Sequence, residues 1–102
     1  MAKVNVIARF VAREGLEPQL KALLQSMLTP TRVEPGCELY ELYESDSWGR
    51  FYLYEIWESQ AALDRHAAAP PFRHLEQTVG EFTQEPFEVN ILRRVLTDAA
   101  AA

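Results

Sequence analysis

Glu55 and Trp57 stand two residues apart in "FYLYEIWES" (Phe51–Ser59), where four aromatic and two aliphatic side chains surround Glu55. If the segment is a strand, Glu55 and Trp57 share a face. A carboxylate in such surroundings is costly unless it is paired or hydrogen-bonded. Two readings are open. One is structural: an ion pair with Arg9, Arg50 or Arg94, or a hydrogen bond to backbone. The other is a pocket wall, where a desolvated carboxylate with a raised pKa could move protons. Trp57 is either core or a contact for a planar aromatic ligand, because an indole offers a large flat face and one polar atom. Tyr40, Tyr43, Tyr52 and Tyr54 add to that supply, or pack across strands.

His66 follows Leu63 by three residues on a helical stretch, so the two lie near one face. An imidazole titrates near neutrality and can take or give a proton. A half-buried histidine bonded to backbone would look the same. His74 stands beside Arg73, Glu76 and Gln77 and reads as surface. Asn5 and Arg9 interrupt an otherwise apolar strand, on the face that also carries Ile7 and Val11. Asn90 interrupts "FEVNIL" in the same way.

The sequence lacks the common cofactor and metal signatures. It has no glycine-rich phosphate loop, no G-x-S-x-G elbow and no H-E-x-x-H pattern. The one cysteine, Cys37, cannot form an internal disulfide or a thiolate metal site within the chain. It reads as a small buried hydrophobe in a strand. The formal charge of −5 and the scattered basic residues argue against nucleic-acid and membrane partners. No apolar run reaches the length of a bilayer span, and no signal-peptide pattern opens the chain, so the cytoplasm is the expected location.

The elements that must position these residues follow from periodicity. The 102 residues suit one domain. "VNVIARFV" (Val4–Val11) is a β-branched strand. In "LEPQLKALLQSML" the leucines recur at helical spacing, with Pro18 in the first turn and Pro30 expected to end or kink the helix. "VEPGC" is a turn. "CELYELYES" (Cys37–Ser45) and "RFYLYEIW" (Arg50–Trp57) form an antiparallel hairpin. Ser59 is placed to cap a helix over Gln60–Ala68. Pro70-Pro71 interrupts it, and a second helical piece runs from Phe72 to about Phe82. "PFEVNILRRVL" (Pro86–Leu96) is the last strand.

The order β-α-β-β-α-β predicts an α+β, ferredoxin-like fold: a four-stranded antiparallel sheet with helices on one face. Both faces of the first and third strands are apolar. Something must cover the second face, so a homodimer with sheet packed on sheet is expected.

"RVEPGCELYELYES", "FYLYEIWESQAALDRHAAAPPFRHL" and "PFEVNILRR" resemble the antibiotic biosynthesis monooxygenase domain family in order and spacing. The resemblance runs from Val4 to Leu96. It implies one such domain over residues 1–97, assembled as a dimeric α+β barrel; "DAAAA" at the end, 98–102, reads as a disordered tail. It also implies a monooxygenase that oxidises a phenolic, quinol or polyketide-like aromatic substrate with O₂ and without a cofactor. His66 would then be the base or oxyanion partner. Asn5 and Arg9 would stabilise the anion if their strand face is the helix-covered one. Trp57 and Phe72 would hold the ring, with Tyr54 and Glu55 completing the substrate-binding set. Pro71 stands where the family often has a second histidine. Glu76 stands where the haem-degrading branch has its axial one. Two further readings are a non-catalytic dimeric module that binds small molecules or assembles with a protein, and an isomerase of a phosphorylated small molecule. The second of these needs Arg9, Arg93 and Arg94 to converge.

Overall fold

Apolar side chains at every second position build the sheet. The computed structural model describes residues 2–95. In strand β1, Val4–Val11, the side chains of Val6, Ala8 and Phe10 are buried, whereas Asn5, Ile7 and Arg9 between them are half-buried. In β3, Arg50–Trp57, burial alternates in the same way: Phe51, Leu53, Glu55 and Trp57 point inward. Antiparallel pairing sets Val6 opposite Glu55 and Ala8 opposite Leu53, so the two inward faces coincide.

The other elements are helices α1 (Glu17–Ser26), α2 (Leu28–Arg32), α3 (Gln60–Ala68) and α4 (Pro70–Thr78), and strands β2 (Cys37–Glu44) and β4 (Glu88–Leu92). The strands pair antiparallel in the order β2-β3-β1-β4, with β4 at one edge. The expected α+β, ferredoxin-like arrangement is therefore borne out. Leu20, Leu24 and Leu75 are fully buried among the inward side chains of the sheet. Each such leucine stabilises the fold by roughly 1.5–3 kcal/mol. Among the described residues no helix is long and apolar enough to cross a membrane. The tail expected at 98–102 lies outside the described residues.

Three local expectations change. Pro30 does not end the first helical stretch. The break falls at Met27, whose N–H bonds back to Leu24 O, and the helix resumes at Leu28. Pro30 then occupies a first turn, where its missing N–H has no partner to lose. Pro70-Pro71 opens a helix as well as closing one. Ala69 is extended, the conformation favoured before proline, and α4 starts at Pro70. It ends at Thr78, and a 3-10 turn at Val79–Glu81 continues the expected stretch. The last strand is shorter than expected and covers Glu88–Leu92 alone.

An irregularity in β2 has consequences for the site. The register with β3 shifts between Cys37 and Leu39, so Cys37 pairs with Trp57 and Tyr40 with Glu55. Opposed residues share a face. The bulge thus turns both Cys37 and Tyr40 toward the helices, and Tyr40 is buried.

Candidate active site

A turn sets the first component. Cys37 N–H bonds to Glu34 O at 3.1 Å, closing a four-residue turn with Pro35 second and Gly36 third. Gly36 has φ +85°. Proline followed by a positive-φ glycine is the pattern of a type II turn. A Cβ on Gly36 would lie 2.5 Å from Ala62 Cβ of α3. Glycine therefore lets the turn press against that helix. Ser59 fixes the start of α3: its Oγ accepts from Ala62 N–H at 3.2 Å, as the sequence predicts.

The close approach brings Glu34 to His66. Glu34 Oε1 lies 2.8 Å from His66 Nδ1. The imidazole is 3 % exposed. Burial lowers its pKa, and Glu34, by hydrogen bond and by charge, opposes the shift. Near neutral pH the ring is thus neutral and the contact is a hydrogen bond from Nδ1–H to the carboxylate. That fixes the tautomer with the lone pair on Nε2. Nε2 takes part in no hydrogen bond among the described residues. Glu34 Oε2 is buried and has no hydrogen-bond partner among them either.

Trp57 joins the second carboxylate to this pair. Its ring stacks on His66 with centroids 4.6 Å apart. Its Nε1–H donates to Glu55 Oε1 at 2.9 Å. This is the partner Glu55 needs, and none of the three arginines expected as alternatives provides it. Burial pushes the Glu55 carboxyl up to about 7. The Trp57 hydrogen bond pulls against that shift, and the charge of Glu34 adds to it.

His66 and Glu55 line a cavity of about 220 Å³ between the sheet and helices α3 and α4. Its interior is formed by Val6, Phe10, Tyr40, Leu53 and Leu75, all buried. Phe72 stands edge-on to His66 at 5.3 Å, and Phe87 lies beyond it. The exposed lining residues, Gln60, Asp64 and Ala67 on α3 and Val89 and Ile91 on β4, form the rim. A dry cavity of roughly 150 Å³ accommodates benzene. This one therefore has room for a substituted ring. Among the described residues no Lys or Arg lines it. No three His, Cys, Asp or Glu side chains among them converge in a metal-binding arrangement.

The residues singled out in the sequence divide across the sheet. His66, Glu55 and Phe72 line the cavity. Trp57 is fully buried behind His66 and Glu55 and does not line it. Asn5, Arg9 and Tyr54 lie on the opposite face. There Tyr54 Oη donates to Asn5 Oδ1 at 3.3 Å, and Arg9 Nη1 to Glu88 Oε2 at 2.9 Å. The condition set for Asn5 and Arg9, a helix-covered face, is not met. Tyr54 and Glu55 are adjacent in a strand and so point opposite ways. Glu34 was missed. It stood in view in the E-P-G-C stretch, but only as part of a turn.

Comparison with known proteins follows the same outline. A family model described as antibiotic biosynthesis monooxygenase matches residues 3–78. Rv0793 of Mycobacterium tuberculosis, which carries a provisional monooxygenase name, is 44 % identical over 87 % of this chain and 88 % of its own. The structure of Rv0793 superposes with a TM-score of 0.88, covering 95 % of this chain and 99 % of that one. SO0527 of Shewanella oneidensis is 32 % identical, with a TM-score of 0.86 over 93 % of each chain.

Proposed function

Because the chain belongs to the antibiotic biosynthesis monooxygenase family, we propose that it oxidises a phenolic, quinol or polyketide-like ring with O₂ and no cofactor. The balance is quinol plus O₂ to hydroxyquinone plus water. One oxygen atom joins the ring, the other leaves as water, and the ring supplies the electrons. His66 Nε2 takes the phenolic proton. The imidazolium so formed rests on Glu34, as a base rests on its orienting carboxylate. The electron-rich anion reduces O₂ directly, and the radical pair combines into a carbon–oxygen bond. The imidazolium returns its proton to the peroxide, and loss of water completes the step. Glu55, in its neutral form, donates a hydrogen bond to a ring oxygen. Phe72 holds the ring, and Trp57 holds His66 and Glu55 in place.

The observation that carries this reading is an imidazole with one nitrogen held by a carboxylate and the other free, in an aromatic cavity. A binding module would use the same cavity but has no need of a carboxylate behind the imidazole. An isomerase of a phosphorylated molecule needs cations at the site. Arg9 is tied to Glu88 on the far face, and Arg93 and Arg94 are exposed beyond β4.

A homodimer, sheet on sheet, belongs to the same proposal, as does a cytoplasmic location. Support for the dimer comes from the open face, where Ile7, Tyr43, Tyr52, Tyr54 and Leu92 line an apolar depression and Tyr43 is 51 % exposed.

Turnover of hydroquinones under isotopically labelled O₂ tests the activity. One labelled atom in the organic product is expected. Product free of label overturns the reading.

A further inference from the structure

We infer that the cavity selects rings that carry no acid group, and that Glu55 and Asp64 are the residues that exclude acids. The inference rests on the ring-binding reading and names the ligand class within it.

Two charge-bearing side chains line the cavity besides His66: Glu55 in the interior and Asp64 at the rim. Both are acidic. A third carboxylate, Glu34, stands behind His66. Among the described residues no arginine lines the cavity, Arg65 between Asp64 and His66 included. Arg32 Nε donates to Tyr40 O, Arg13 Nε to Thr83 O, and Arg9 pairs with Glu88. A carboxylate or phosphate brought in on a ligand would lose its water, meet like charge and find no counterion. Desolvation of an unpaired charge is the largest such penalty. The phenolate made in the reaction differs, because the imidazolium forms beside it and the pair is neutral overall.

Glu55 makes the exclusion pH-dependent. The groups that face it are Glu34 from the turn, Cys37 and Tyr40 from β2, Trp57 on its own strand, and His66 and Asp64 from α3. Val6 of β1 stands opposite it, and β4 and α4 bring apolar residues to the same cavity: Val89, Ile91, Phe72 and Leu75. Burial raises Cys37 and Tyr40 and lowers His66, so these three stay neutral around pH 7. Glu55 loses its proton at about 7. Below that pH it can share its proton with a ligand acid; above it, it repels one.

The test is binding of three probes to the purified protein: naphthol, hydroxynaphthamide and hydroxynaphthoate. The amide matches the acid in size without its charge. At about pH 8 the acid should bind at least about tenfold more weakly than the amide, and the gap should narrow at about pH 6. In Glu55→Gln, which keeps an acceptor for Trp57, the gap should shrink and lose its pH dependence. Asp64→Asn should narrow it less. Equal binding of acid and amide at about pH 8, or no binding by any probe, overturns the inference. Discrimination without oxygen uptake supports it and retires the oxygenase reading instead. Oxygen uptake on acids as fast as on amides does the reverse.

Discussion

Glu34 Oε1 and His66 Nδ1 lie 2.8 Å apart, although 32 residues separate them in the chain. A turn and a helix packed through Gly36 hold the pair together. Its effect is to fix which imidazole nitrogen is free. Removing the carboxylate by Glu34→Ala should lower turnover at least about 10- to 100-fold, between the cost of losing the partner of a metal-bound histidine and that of losing the carboxylate behind a catalytic imidazole. Glu34→Gln should fall between. Nitrogen NMR gives a readout independent of activity. The wild-type ring should carry its proton on Nδ1, and Glu34→Ala should show a mixture of tautomers. An unchanged tautomer in Glu34→Ala would contradict the assigned role.

The Glu55 carboxyl predicts how stability varies with pH. In the unfolded chain it loses its proton near the ordinary 4.5, in the folded one at about 7. Between these values the folded state binds more protons, so stability falls as pH rises across the window. The shift corresponds to on the order of 3 kcal/mol lost by the time pH exceeds 7. Lowered by burial, His66 acts the other way: its part of stability is lost as pH falls through its folded pKa. Denaturant unfolding of Glu55→Gln should therefore lose the fall with rising pH across pH 4.5 to 7, keep the opposite contribution of His66, and show a gain above pH 7. Trp57→Phe should move the Glu55 midpoint higher, because it removes the hydrogen bond that favours the charged form.

Gly36 couples the turn to α3. A side chain there must adopt a positive φ, which costs roughly 1–2 kcal/mol. It must also displace Ala62, at an overpacking cost of about 1–3 kcal/mol. Thermal melting of Gly36→Ala should show a loss of that combined order. Gly15 also has positive φ but has open space around it. Gly15→Ala should cost only the backbone part. Equal losses in the two variants would show that Gly36 does not press on the helix.

The sequence made the frame more legible than the site. Strands β1 and β3 begin and end where alternation predicts, because one face of each packs into the core and a slip would expose it. Ser59 announced α3 through a local hydrogen bond. Pro30 and Pro70 were harder: proline marks a helix boundary but does not say on which side of it the helix lies. Glu34 was invisible for a different reason. Its partner is distant in sequence, and its position before Pro-Gly is explained by the turn alone. Asn5, Arg9 and Tyr54 were grouped with Glu55 and His66 by chemistry, although strand parity already separated Tyr54 from Glu55.

The most direct measurement is oxygen consumption by wild type and His66→Ala with a simple hydroquinone, no cofactor added, near neutral pH. Wild type should show uptake above the uncatalysed rate. His66→Ala should lose about 10²- to 10⁴-fold, the usual contribution of a positioned base. Uptake by a folded His66→Ala at the wild-type rate would contradict the role of His66 as the base.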